Sequence, residues 1–591
     1  MRKGRGQWGA SDHETSGAAN GDKWTCLLLL VSAFLLFWGL GSRGLWAAEG
    51  RWAEVTREML LTGDFFHPTI GGEPYFDKPL LTYWLRVVVS VVTGALNEWM
   101  VRLPSALAGL VAVWATVKIG ARLWSARVGR FAGWFLLTTY AFLFWSRTGT
   151  ADAENLAFTI GAVAWYWSRR DRLKFSAMLV FYLIIFIGAL TKGLTAVVVP
   201  MLVLLPDIVV ERRWRLLLRP SHFLAFGVGL LVYLSHFAYA TFAQAVDYHS
   251  NGLGLVFQEN ILRYFRPFDH KGPVYLYVYQ LPILLLPWTP LFLAAVAGMV
   301  EGWRGLDKHT RWLTWAIILV FAFFTLSGSR RSYYILPILP FCVLLIAVFL
   351  GEVRQSRVDQ VRRQGVGIQR AVCIGVIAFE LAIPLISIVP RRMIGFEAPR
   401  SFLLASLGIG VIAVLAGLIS SRVLRRQNLS NTQMKTVGPL IAVVVVLLAG
   451  YFCCQQRILE VNRTERPFAK ALRVQADHLS PEAVAIFPKR NANLLFYLGR
   501  ERPLRVLKDV EDFQEFLRSN SEGMVIAQSR YAATLPTEVL VDLQARGKMK
   551  EAGQTWESSS SRGEKWMAWF WNDTADRSRI KGITKGDDDA T

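Results

Sequence analysis

Residues 174–210 read KFSAMLVFYLIIFIGALTKGLTAVVVPMLVLLPDIVV. Two apolar runs, 174–190 and 194–210, flank Thr191-Lys192-Gly193. A helix needs about 20 apolar residues to cross a bilayer. The short polar interruption with its glycine marks a turn between two antiparallel spans. Working outward, similar runs recur near 24–41, 103–120, 130–146, 155–167, 222–242, 275–298, 312–327, 333–350, 370–390, 402–420 and 436–453. The expectation is an α-helical polytopic membrane protein with about thirteen transmembrane helices. The chain is 53% hydrophobic, with mean hydropathy +0.33 over 591 residues, more apolar than a soluble protein of that length.

Charge sets the orientation. The first 23 residues and the segments 121–130, 168–174, 211–219, 301–311, 352–370 and 421–435 hold 27 Lys and Arg against 9 acids, which is +18 of the net +22. These segments alternate along the chain, so they share one side, and the positive-inside bias makes that side the cytoplasm. The basic charge therefore reports topology, and no nucleic-acid partner is implied. The expected order is a cytoplasmic segment 1–23, a transmembrane domain 24–453 with a first periplasmic loop at 42–102, a periplasmic α/β domain at 454–573, and a disordered tail at 574–591. The place would be a bacterial inner membrane, N-terminus inside and C-terminus outside. Within the first loop, 80–93 is short and carries Arg86, which predicts an interfacial helix. In the outer domain, strand-like Val484-Ala485-Ile486-Phe487 and Met524-Val525-Ile526-Ala527 alternate with helical patterns at 467–478 and 509–518. The five cysteines, Cys26, Cys342, Cys373, Cys453 and Cys454, form no CxxC pair and read as small apolar residues.

The unusual residues fall on the outer side. Arg51, Glu54, Arg57 and Glu58 stand at helical i,i+3 and i,i+4 spacing, which predicts a helix on the membrane surface, either solvated and salt-bridged or part of a site. A turn follows, Gly71-Gly72-Glu73-Pro74-Tyr75-Phe76-Asp77-Lys78-Pro79, with aromatics at interface depth beside an acid and a base. Asp152 sits in the link 147–155, where a carboxylate between spans is costly unless used. Basic residues also occur where the positive-inside bias opposes them: Lys192; Arg263, Arg266, His270 and Lys271; and Arg330 and Arg331 before Tyr333-Tyr334. Their simplest task is to grip an anionic headgroup, of a substrate or of ordinary membrane phospholipid. A sugar linked to a lipid phosphate suits both sets. Cations stabilise a leaving phosphate, and a carboxylate can deprotonate or orient an acceptor. No nucleotide fingerprint and no metal-ligand cluster is visible, while a divalent metal bridging carboxylate and phosphate stays open. The rival reading is a lipid or solute transporter. Internal repeats would favour it, and none is seen. Its one midspan acid, Glu380, reads more simply as a satisfied polar group. A scaffold role for the outer domain would leave the misplaced basic residues unexplained.

Taken as a set, these motifs resemble the membrane-integral C-type glycosyltransferases that use polyprenyl-phosphate sugars. The likeness is greatest to the bacterial aminoarabinose transferases of lipid A and weaker to the protein O-mannosyltransferases. It rests on Glu49-Gly50-Arg51-Trp52-Ala53-Glu54, Arg57-Glu58-Met59, Tyr75-Phe76-Asp77-Lys78-Pro79 with Tyr83-Trp84, and Arg102-Leu103-Pro104-Ser105. Asp152, Thr191-Lys192-Gly193, Pro287-Trp288-Thr289 and Tyr334-Ile335-Leu336-Pro337 with Pro340 complete it. The resemblance implies an inverting transfer of sugar from undecaprenyl phosphate to a lipid, glycan or other periplasmic acceptor. It implies Lys78, Arg263 and Tyr334, with Arg330 and Lys192 near them, at the donor phosphate, and Asp152 at the second acidic position. Arg51, Trp52, Glu54, Tyr75 and Asp77 would line the sugar and acceptor pocket. At the first acidic position the family's Asp-Glu pair reads Ala48-Glu49 here. The resemblance implies that Glu49 takes the catalytic role with a longer arm, as base or acceptor-orienting group, with Asp152 assisting near the acceptor; the alternatives are that this branch serves another acceptor or is less active.

Overall fold

The computed structural model describes residues 12–46, 48–75, 78–242, 262–266, 271–353, 355–388, 399–426, 432–460, 465–546, 549–550 and 566–572. Asp77 and the tail after 572 lie outside them. The chain forms two compact units. Residues up to Leu40, Lys78–Thr82 and Arg102–Gln455 make the first; Gly41–Asp77, Tyr83–Val101 and everything from Gln456 onward make the second.

The first unit is helical and membrane-spanning in character. Among the described residues, six helices are long and apolar enough to cross a bilayer: Glu98–Leu123, Phe175–Lys192, Lys308–Leu326, Ser356–Leu385, Arg400–Arg425 and Lys435–Leu459. A seventh span results if Leu276–Leu284 and Thr289–Glu301, bent by 119°, count as one. Five shorter apolar helices accompany them, including Thr195–Val210 and Leu336–Gly351. Two expected spans are thus interrupted. Pro287 falls in the break of 275–298; a proline lacks the amide proton and disfavours helix in the residue before it. The run 130–146 divides into Ala126–Leu137 and Tyr140–Ser146. At that break the hydroxyls of Thr138 and Thr139 donate to the carbonyls of Trp134 and Phe135, at 2.5 and 2.7 Å, back-bonding that bends helices. Every residue from Leu339 to Leu350 is buried, so helix Leu339–Gly351 is the centre of the bundle. Glu380, the acid a transporter would use, accepts a 2.8 Å hydrogen bond from Gln455 Nε2, and the same nitrogen lies 2.8 Å from Ser406 Oγ. It is a satisfied polar group inside the bundle.

The second unit joins the first-loop segments to the C-terminal region. A hairpin pairs β1 (Thr69–Ile70) with β2 (Glu73–Pro74). The main sheet has β3 (Val484–Phe487), β4 (Arg505–Val506), β5 (Glu522–Gln528), β6 (Met549–Lys550) and β7 (Trp566–Asn572), in the order β4-β3-β5-β7-β6. β3 runs parallel to both β4 and β5, while β7 is antiparallel to β5 and β6. All four β3 residues are buried, as befits a strand covered on both faces. One face packs on Phe468, Leu472, Leu494 and Leu498, together with Leu45, Ala53 and Val101 from the first loop. The other packs on Phe513, Phe516, Leu517 and Val539.

Candidate active site

Within the first unit, sequence-distant residues meet at the ends of helices. Helix Phe175–Lys192 ends at Gly193, whose φ of 109° falls in a region that favours glycine, and the next helix begins at Thr195. This turn leaves Lys192 at the terminus. Asp152 opens helix Asp152–Arg169, where a carboxylate complements the helix dipole. Thr150 Oγ1 donates to Asp152 Oδ2 at 2.9 Å. Lys192 Nζ forms an ion pair with Asp152 and lies 5.1 Å from the ring centre of Tyr333 and 4.8 Å from that of Tyr334. Side-chain exposure is 20% for Lys192 and 6% for Asp152, so the pair is largely buried.

Neighbouring contacts join the segments that carry other expected ligands. Thr82 donates to the Thr191 carbonyl at 3.2 Å, joining the segment that carries Lys78 to the Lys192 turn. The amide of Gly328 donates to the Tyr264 carbonyl at 2.7 Å, which ties the short helix Arg263–Phe265 to the turn before Arg330. Tyr264 Oη also donates to the Phe323 carbonyl at 3.1 Å. Arg330 spends its donors on structure: Nη1 on the Gly272 carbonyl at 2.6 Å, Nε and Nη2 on the Thr325 carbonyl at 3.1 and 3.0 Å. It braces the turn that presents Tyr333 and Tyr334. Ser105, from the Arg102-Leu103-Pro104-Ser105 motif, donates to the Thr150 carbonyl at 3.1 Å and to Glu154 Oε1 at 3.2 Å, holding the link before Asp152. Arg102 of the same motif is fully buried and donates to the Leu40 carbonyl at 2.8 Å.

Within the second unit, helix Glu49–Thr62 is not a solvated surface helix: nine of its fourteen residues are buried. Glu49 Oε2 accepts the Trp46 amide at 2.9 Å and lies 3.6 Å from Arg43 Nη2, with no exposure. Glu54 receives both Nε and Nη2 of Arg57 at 2.8 Å, and Arg57 Nη1 donates to the Arg500 carbonyl at 2.7 Å. Burial pushes the Glu54 carboxyl up to about 7, against the opposing pull of Arg57. Glu58 accepts the amides of Gly71 and Gly72, at 2.5 and 3.2 Å, and the Thr69 hydroxyl at 2.5 Å, so it closes the β1–β2 hairpin. Trp52 is buried in the interior of this unit, and Glu54, also buried, lines a cavity of about 190 Å³ with Arg57, Glu58, Leu498 and Arg502. Arg51 and Tyr75 do share a cleft, and Arg51 Nη1 donates to the Tyr75 hydroxyl at 2.8 Å. Gly50 is where helix Glu49–Thr62 meets helix Ala492–Leu498: a Cβ there would stand 2.5 Å from the Asn493 amide nitrogen. Among the described residues, no three His, Cys, Asp or Glu side chains converge as a metal-ligand set. The roles of Tyr333, Ser105 and Gly50 escaped the sequence reading, although all three stand inside or beside the motifs it singled out.

The relatives of this chain define its class, a polytopic membrane glycosyltransferase that takes its sugar from a polyprenyl phosphate. The family model described as dolichyl-phosphate-mannose-protein mannosyltransferase matches residues 77–239. The chain is 31% identical over 413 residues to the undecaprenyl phosphate-alpha-4-amino-4-deoxy-L-arabinose arabinosyl transferase of Pseudomonas paraeruginosa, covering 68% of this chain and 71% of the relative. The enzyme of that name from Aeromonas salmonicida is 28% identical over 421 residues, covering 69% and 74%. The chain belongs to this arabinosyl transferase family. Its fold is similar to the crystal structure of ArnT from Cupriavidus metallidurans bound to undecaprenyl phosphate, with TM-score 0.68, 22% identity, and coverage of 93% of this chain and 98% of that one.

Proposed function

We propose that the chain transfers 4-amino-4-deoxy-L-arabinose from undecaprenyl phosphate to a lipid acceptor of the lipid A kind, with inversion, at the periplasmic face of a bacterial inner membrane. The relatives' names supply the sugar and its carrier. The observation that carries the site assignment is Lys192, shared between Asp152 and the rings of Tyr333 and Tyr334 at the end of a membrane helix. In this reading Lys192, Lys78, Arg263 and Tyr334 hold the donor phosphate, and Arg330 keeps the tyrosine turn in place. The bond from sugar C1 to the phosphate oxygen breaks, and undecaprenyl phosphate leaves with the electron pair. Cations facing that oxygen stabilise its growing charge. An acceptor oxygen forms the new bond to C1 from the opposite side, and any proton it carries passes to a carboxylate. In this reading Asp152 takes that proton. Glu49, sealed between Arg43 and the Trp46 amide, positions the entry to the first-loop helix. Thirteen spans and a periplasmic α/β domain after 454 complete the proposed topology.

The test uses full-length protein in detergent with undecaprenyl-phosphate donors bearing aminoarabinose, mannose or glucosamine, and a hexa-acyl lipid A acceptor. The expected product is aminoarabinosyl lipid A, with undecaprenyl phosphate released in equal amount. Transfer of another sugar in preference would overturn the donor assignment, and absence of transfer from all three would overturn the reading.

A further inference from the structure

The cleft that Arg51 and Tyr75 share in the second unit is lined by further basic residues to which no role has been given above. It encloses about 590 Å³ among the first-loop helix, the β1–β2 hairpin and the segments following β3 and β4. Arg51, Lys489, Arg490 and Lys508 line it against one carboxylate, Glu73, with Tyr75 on the hairpin side. Glu73 is ion-paired to Arg490. Arg490 Nε is buried and meets no hydrogen-bond acceptor among the described residues. The Arg490 side chain crosses the hairpin at Gly71, where an added Cβ would come within 2.5 Å of Nε; the glycine therefore permits its course. An excess of like charge in a cleft concentrates a field that favours an anion.

The size and charge narrow the occupant. Four basic side chains line the cleft with one carboxylate, a better match for a phosphoryl dianion than for a single carboxylate. The volume falls in the range of sites for small organic molecules, about 300–1,000 Å³, so it exceeds the needs of a bare phosphate. We propose that this cleft binds a phosphorylated sugar of the acceptor headgroup. The proposal rests on the reading of the chain as a glycosyltransferase with a lipid acceptor.

The experiment reads binding without turnover. Full-length protein in detergent is treated with a lysine-acylating reagent, and modification of Lys489 and Lys508 is quantified by mass spectrometry. The probes are glucosamine 1-phosphate, glucosamine, inorganic phosphate and phosphatidylglycerol vesicles. Glucosamine 1-phosphate should slow modification at both lysines several-fold, glucosamine should not, and Arg490→Gln should abolish the protection. In the transfer assay, Lys489→Ala with Lys508→Ala should raise the acceptor KM about tenfold or more, the scale of a lost charge-assisted hydrogen bond, with the donor KM unchanged. No protection by glucosamine 1-phosphate would overturn the proposal. Equal protection by phosphatidylglycerol vesicles would make the cleft a bilayer-facing patch, and equal protection by inorganic phosphate would remove the sugar; either result overturns it. Protection in a protein that transfers no sugar would support the cleft and count against the enzymatic reading alone.

Discussion

Replacing Lys192 with methionine keeps most of the stem and removes the ammonium that faces Asp152, Tyr333 and Tyr334. Asp152, 6% exposed, then keeps a charge with its cation gone. Breaking a fully buried pair in this way costs about 3–5 kcal/mol. Lys192 and Asp152 are largely buried, so the expected cost lies toward the lower end of that range, about 3 kcal/mol. Asp152→Asn removes the opposite partner and strands the lysine. The double variant Lys192→Met with Asp152→Asn leaves neither charge stranded, so the two costs should fail to add by at least about 1 kcal/mol. Activity should behave differently. Losing a cation that stabilises the leaving phosphate should reduce the transfer rate about 10²- to 10³-fold, and the double variant should not recover it. The assays are thermal unfolding in detergent, followed by tryptophan fluorescence, and transfer from labelled donor. Additive losses of stability, or recovery of transfer in the double variant, would refute the reasoning.

Gly50→Ala would drive a methyl against the Asn493 amide; overpacking of this kind costs about 1–3 kcal/mol, and unfolding temperature should fall while residues of the first unit keep their proteolytic protection. Glu54 holds its proton up to about pH 7 in the fold, against 4.5 for a free glutamate. The stability from that proton is full below pH 4.5 and disappears as pH rises through 7, so Glu54→Gln should remove a decline in unfolding temperature across this window; an unchanged profile would exclude the assignment. Glu49→Gln keeps an acceptor for the Trp46 amide and loses the charge facing Arg43. It should lower kcat by about tenfold with little change in donor KM, a smaller effect than Asp152→Asn, because general acid–base roles typically contribute 10²–10⁴-fold. Equal losses from the two variants would give Glu49 a direct catalytic part.

Much of this was legible from apolar length and charge placement. The turn at Thr191-Lys192-Gly193 could be read because lysine in a short outer loop opposes the positive-inside bias, and the structure puts that residue on Asp152. The break at Pro287 was visible as a residue but not as a bend, since prolines are tolerated within membrane helices and the outcome depends on neighbours. The first-loop helix was placed correctly, Glu49–Thr62, yet its charge spacing suggested a solvated face. Spacing records which side chains share a helix face and not what covers that face. Here Glu58 turns to the hairpin amides and Glu54 is enclosed with Arg57. The basic cleft escaped for the same reason: Arg51 and Lys508 are far apart in sequence, and only the tertiary fold puts them around one cavity.

The central claim is that Lys192 grips the phosphate of a polyprenyl donor. Its most direct measurement is the dissociation constant of undecaprenyl phosphate, titrated into wild-type protein, Lys192→Met and Lys78→Ala in detergent and followed by quenching of tryptophan fluorescence. The account predicts at least about tenfold weaker binding in each variant, the scale of one charge-assisted contact. Affinity equal to wild type in Lys192→Met, with the fold intact by thermal unfolding, would contradict it.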